Sequence, residues 1–143
     1  MPRLPGLTFG QAIPAGSGWR KEQDQVSDDC LIWVTPERPD SYAITIAGRL
    51  ARVTFGRGSG FRLPGRSGSP GIAPGATAAA VRAAYPDLVA EPHKYMAPPA
   101  GYLTSPHLAE DQTGLRFEID ADGTVALIHL GLPAALTLVE GCA

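Results

Sequence analysis

The sequence lacks the signals that would assign it an activity at once. Its two cysteines, Cys30 and Cys142, have no C-x-x-C spacing, which excludes a zinc ribbon and a thioredoxin-type redox pair. The three histidines, His93, His107 and His129, stand too far apart for an H-x-x-x-H helix pair. No Gly-x-Ser-x-Gly elbow occurs; the nearest stretch, Ser67-Gly68-Ser69, is flanked by Arg66 and Pro70. Gly56-x-Gly58-x-Gly60 has neither the lysine of a phosphate loop nor a following helix. Asp120-Ala121-Asp122-Gly123 superficially matches a calcium loop, but that alignment puts His129 where a bidentate glutamate is required. No apolar run approaches the roughly 20 residues that span a bilayer. A net charge of −2 offers no global attraction to nucleic acid or anionic lipid. These absences leave no catalytic residue, no metal ligand set and no cofactor to expect, and no nucleic-acid partner.

What is present is glycine and proline: 17 and 14 in 143 residues, a composition that favours short strands and many turns. The length suits a single domain over 1–143. Within it lie an N-terminal hairpin half (1–55), a Gly/Arg/Ser-rich linker (56–70) and a helix-plus-meander half (71–143). Gly6–Gly10 reads as a short strand, and Cys30–Thr35 is a β-branched and aromatic run ended by Pro36. Ser41–Ala47 and Leu50–Phe55 form a hairpin about Gly48-Arg49.

Past the linker, Thr77 is placed to cap a helix over about 77–85. Val81, Ala84 and Tyr85 form its buried stripe, and Pro86 ends it. Strands are predicted at His93–Met96, Tyr102–Ser105, Leu115–Asp120, Thr124–Leu130 and Leu136–Glu140, with Asp122-Gly123 as a hairpin turn. The fold class is therefore α+β: a mostly antiparallel sheet with one main helix packed on one face. The segments YAITIAGRLARVTFG and LRFEIDADGTVALIHLG share a strand–turn–strand–Gly pattern, the mark of a degenerate internal repeat.

Cys30 and Cys142 admit two readings. A disulfide would close a loop of about a hundred residues, worth roughly 4–5 kcal/mol in the chain-entropy account. It would tie down a C-terminal tail that otherwise frays and imply an oxidising compartment. The other reading is a pair of buried free thiols.

The elements Gly71-Ile72-Ala73-Pro74-Gly75, Val81-Arg82-Ala83-Ala84-Tyr85-Pro86, Pro92-His93-Lys94-Tyr95, Leu115–Asp120 with Gly123, and Glu140-Gly141-Cys142 resemble a group of uncharacterised exported bacterial proteins. More distantly, the Gly-x-Thr helix start and the closing Phe-x-x-Asp-x-x-Gly-x-Val hairpin look like the BamE and β-lactamase-inhibitor-protein type of fold. Pro86 stands where those folds usually have Gly, and the first half lacks their helix. The resemblance implies a periplasmic or secreted protein in mature form, since no signal peptide precedes Leu4. Membrane association would then run through a removed leader or lipid anchor.

Two surface features are candidate contacts. Arg49, Arg52, Arg57, Arg62 and Arg66 form a basic stretch without an acidic residue, suited to an anionic envelope component or an acidic partner. His93, Lys94, Tyr95 and Tyr102 group a cation, a titratable ring and two phenols on neighbouring strands, a composition suited to a binding face. The expected function is a non-catalytic extracytoplasmic binding or inhibitor-like module with a protein partner. The alternatives are an accessory structural subunit of an envelope assembly, or a small hydrolase using His93 or His107 as base.

Overall fold

The computed structural model describes residues 4–65, 70–106, 108–139 and 141–142. The strands are β1 (Arg20–Lys21), β2 (Cys30–Val34), β3 (Ser41–Ile46), β4 (Arg49–Phe55), β5 (Val89–Pro92), β6 (Gly101–Thr104), β7 (Gly114–Ile119) and β8 (Val125–Gly131). They form one antiparallel sheet in the order β1-β2-β3-β4-β8-β7-β6-β5. Each half of the chain is thus a four-stranded meander, and the last strands of the two halves pair at the centre, with Val53 opposite Leu130. The architecture is sheet-rich, with one helix longer than a single turn among the described residues.

That helix, α1 (Ala78–Ala84), starts where the sequence says it should. The Thr77 hydroxyl accepts the Ala80 N–H at 3.1 Å, satisfying a donor the helix cannot pair itself. Val81 is fully buried. Ala78, Ala84 and Tyr85 pack against the same core as Phe117, Leu103, Ile128 and Val53. This core covers one face of the sheet. The 56–70 stretch contributes to it: Phe61 stacks on Phe55 with centroids 3.8 Å apart, and Leu63 bridges to Ile72.

Three strand expectations are corrected. Gly6–Gly10 is a pair of turns, because Gly6 and Gly10 adopt φ of +75° and +84°, outside the extended region. The segment still works structurally, since Leu4, Leu7, Phe9, Ile13 and Trp19 all belong to the core packing. His93–Met96 is a turn, and the edge strand lies just before it, at Val89–Pro92. Pro92 has no N–H to continue a ladder, and the His93 ring accepts the amides that follow. Leu136–Glu140 is not a strand either. Pro133 opens a short helix, α2 (Pro133–Leu136), as proline does readily at a first helical position. Both edges of β8 are already taken by β4 and β7. Glu140 lies outside the described residues.

The cysteines are bonded. Cys30 and Cys142 form a disulfide with Cα atoms 5.5 Å apart, so the thiol reading falls. The chain that follows β8 returns across the second face of the sheet to reach β2.

Candidate functional site

Strand alternation sends Ala43, Val53, Leu130, Leu115 and Phe117 to the core face, so their neighbours form a second face. That face is polar. Tyr42, Thr54, His129, Arg116 and Thr104 stand opposite one another in register across five strands. Except for Tyr42 they are buried. Burial of such a row is tolerable only where each group finds a partner.

At the centre, Thr54 Oγ1 and His129 Nδ1 share a hydrogen bond of 2.7 Å. Burial holds the His129 ring well below the usual histidine range, and the positive charges of Arg52 and Arg116 push it the same way. The ring is therefore neutral at pH 7. Arg52, fully buried on β4, donates to the carbonyl oxygens of Ala135 and Leu138 and to the Tyr42 hydroxyl at 2.8 Å. Burial lowers its affinity for the proton, with Tyr42 opposing the shift, yet a guanidinium keeps its charge in such settings. Its Nε is buried without a hydrogen-bond partner among the described residues. The guanidinium thus sits beneath the end of α2, against the negative end of the carbonyl dipoles of its last turn.

Towards the β5 edge the row ends in a second cluster. Arg116 Nη1 donates to Glu91 Oε1 at 3.0 Å and to Thr104 Oγ1 at 2.8 Å, and its guanidinium lies 3.9 Å from the Tyr102 ring centre. His93 stacks on the same ring with centroids 4.9 Å apart. The His93 Nδ1 accepts the backbone amides of Tyr95 and Met96 at 3.0 and 3.2 Å. In the neutral ring the proton then belongs on Nε2, which makes no hydrogen bond among the described residues and faces Glu118 Oε2 at 3.7 Å. One histidine thus pins a tight turn to the sheet and sends Lys94 and Tyr95 outward. Tyr95 is 62% exposed and Val89, on β5, is 49% exposed.

The four residues His93, Lys94, Tyr95 and Tyr102 are therefore brought together, but on two levels. His93 and Tyr102 are inside, whereas Lys94 and Tyr95 are outside, with Lys94 Nζ 5.2 Å from the Tyr95 ring centre. The arginines are dispersed. Arg52 is buried, and Arg49 is exposed at the β3–β4 turn. Arg57 donates to Thr124 Oγ1 at 2.8 Å and lies near Asp120 and Asp122. Hydrogen bonds from Thr124 hold the Asp122 carboxyl below its ordinary range. Arg62 donates to the Pro70 carbonyl at 3.2 Å. Arg66 and His107 lie outside the described residues. Glu91, Arg116 and Glu118 belong to the cluster although sequence reading did not select them. Alternation puts Arg116 and Glu118 on the right face, but only the fold shows that this face is covered.

Among the described residues, no group of three or more His, Cys, Asp or Glu side chains could hold a metal ion, and no helix is long and apolar enough to cross a membrane. An open cleft of about 480 Å³ lies on the β1–β3 side of the second face, between Glu22, Ile32, Val34, Tyr42 and Gly141. No family model, curated protein or solved structure matches the chain.

Proposed function

We propose that this protein is a non-catalytic binding module of the bacterial envelope that recognises an extended segment of a protein partner at β5 and the 93–96 turn. The observation behind this reading is the asymmetry of the two sheet edges. β1 is two residues long and both are cationic, features that discourage strand pairing. β5 has four exposed residues and neither lysine nor arginine. Exposed Val89 and Tyr95 lie at this edge, and large apolar groups at an unpaired edge suit strand addition with side-chain anchoring.

The disulfide is compatible with an oxidising, extracytoplasmic location. Periplasmic or secreted placement, and kinship with exported BamE-like proteins, are parts of the proposal supported by the motif resemblance. An accessory subunit of an envelope assembly would use the same edge. The geometry of His93 favours a structural role over that of a hydrolytic base: its side chain is 4% exposed and its Nδ1 is taken by backbone amides.

Photoreactive side chains placed singly at positions 89, 95, 20 and 49 test the reading in envelope preparations of the native cell. A discrete cross-linked adduct is expected from 89 and 95 and not from 20 or 49. The adduct formed from position 95 should disappear in Val89→Asp. No adduct, or equal adducts from all four positions, overturns the reading.

A further inference from the structure

We propose, on the strand-addition reading above, that β5 selects an antiparallel partner segment with a lysine or arginine two residues from an apolar residue. The apolar side chain would lie against Val89 and the cation against Glu91. The hydrogen-bond phase of the sheet fixes which groups β5 turns outward. The Ser105 amide donates to the Leu115 carbonyl at 2.9 Å, so these two residues form a bonded pair at the end of the β6–β7 ladder. Bonded and non-bonded pairs alternate along antiparallel strands. Leu103 and Gly101 therefore also bond to β7, while Thr104 and Tyr102 turn their main-chain groups towards Val89 and Glu91. Ala90 and Pro92 are left facing the open side of β5. Ala90 offers both its N–H and its carbonyl there, whereas proline has only a carbonyl. Just before the strand, the Leu88 amide is already taken by the Tyr85 carbonyl at 3.4 Å. An added antiparallel strand is thus fixed by two hydrogen bonds to Ala90.

In that frame Val89 and Glu91 stand opposite the two partner residues that flank the one bonded to Ala90. Non-bonded pairs of this kind bring side chains closest together. Val89 and Glu91 share the second face with their neighbours Thr104 and Tyr102. Exposed Val89 offers an apolar contact, and Glu91 offers an anion already held in place. Glu91 Oε1 accepts Arg116 Nη1 at 3.0 Å; the Arg116 side chain is 6% exposed, whereas that of Glu91 is 45% exposed. A carboxylate braced from within and open outside can take a second cation with little further loss of side-chain freedom. Glu118 lies on the same face across Tyr102 and adds a second carboxylate to this part of the sheet. Lys94, on the adjoining turn, lies over the Tyr95 ring.

A second copy of the chain does not meet these terms. Two β5 strands related by a two-fold axis at Val89, Ala90 or Glu91 set Glu91 against Asp87, Val89 or Glu91 of the other copy. None of these is a cation, and like charges directly opposite are destabilising. An axis at Pro92 brings together two residues without an N–H. The edge thus discourages self-pairing while it suits a basic segment of a different protein.

Selection of a random octapeptide library on the full chain tests this selectivity. The enriched peptides should carry Lys or Arg two positions from Val, Ile or Leu, and a synthetic peptide of that pattern should slow hydrogen exchange at the Ala90 amide. Glu91→Gln keeps an acceptor for Arg116 but loses the charge. It should bind that peptide roughly two- to five-fold more weakly at low salt, and selection on it should lose the basic position and keep the apolar one. Val89→Thr should do the converse. Peptides that protect Ala90 without a basic preference, or a preference that survives Glu91→Gln, overturn the selectivity and leave strand addition standing. Peptides that bind without protecting Ala90, or no enrichment at all, overturn strand addition and the selectivity with it.

Discussion

His129 makes stability depend on pH in a way that can be worked out from its surroundings. It lies at the centre of the sheet, hydrogen-bonded to Thr54, with its proton affinity reduced by burial and by two arginines. In the unfolded chain the ring titrates near 6.5. Below that pH the unfolded state binds a proton that the folded state refuses, so the contribution of this group to stability falls as pH falls. It is complete above the unfolded value and is lost with a limiting slope of about 1.4 kcal/mol per pH unit. At pH 5.5 the loss is about 1.4 kcal/mol and at pH 5.0 about 2 kcal/mol, as long as the buried ring stays neutral. Urea unfolding between pH 7.5 and 5.0, for the protein and for His129→Gln, isolates the effect. Glutamine removes the titration and keeps a polar partner for Thr54, while other ionisable groups cancel in the difference. The stability gap between the two proteins should shrink, or reverse, by these amounts on acidification. A gap that is constant from pH 7.5 to 5.0 would refute the argument, since it would mean that the ring binds its proton equally in both states.

Two substitutions probe the fold directly. Gly131 faces Arg52 across the central pair, and a Cβ there would lie 2.6 Å from the Ala51 carbonyl oxygen. Gly131→Ala should therefore cost about 1–3 kcal/mol by overpacking between two backbones, measured as a lower urea midpoint. Thr77→Ala removes the N-cap acceptor of α1 and should cost about 1 kcal/mol, with Thr77→Ser restoring most of it.

The elements readable from the sequence were those set by neighbours in the chain. Thr77 and Pro86 bracket α1, Gly48 turns β3 into β4, and Asp122-Gly123 turns β7 into β8. The pairing of Cys30 with Cys142 was one of the two readings open to the sequence, and only the approach of the two Cα atoms to 5.5 Å decides it. The hidden parts depend on contacts between distant segments. Arg52 and Arg116 sit at alternation positions that ordinarily face water; only α2 and the cluster around Tyr102 make those positions interior. The irregular stretch from Leu4 to Trp19 has no strand or helix period, yet it packs against the same core as α1. The candidate binding site was half legible. Its composition marked out His93, Lys94, Tyr95 and Tyr102, but which of them would turn inward depended on the amides of Tyr95 and Met96 closing on the His93 ring.

The symmetric strand order also bears on synthesis. The ribosome delivers β4 as the last strand of the first meander, and its natural partner, β8, emerges only after three further strands and α1. Throughout that interval one long edge of β4, bearing Val53 and Phe55, has nothing to pair with. A nascent chain in that condition is open to capture by the β8 of another copy, which would make the same hydrogen bonds. The seam that joins the two halves is thus the place where domain swapping would begin.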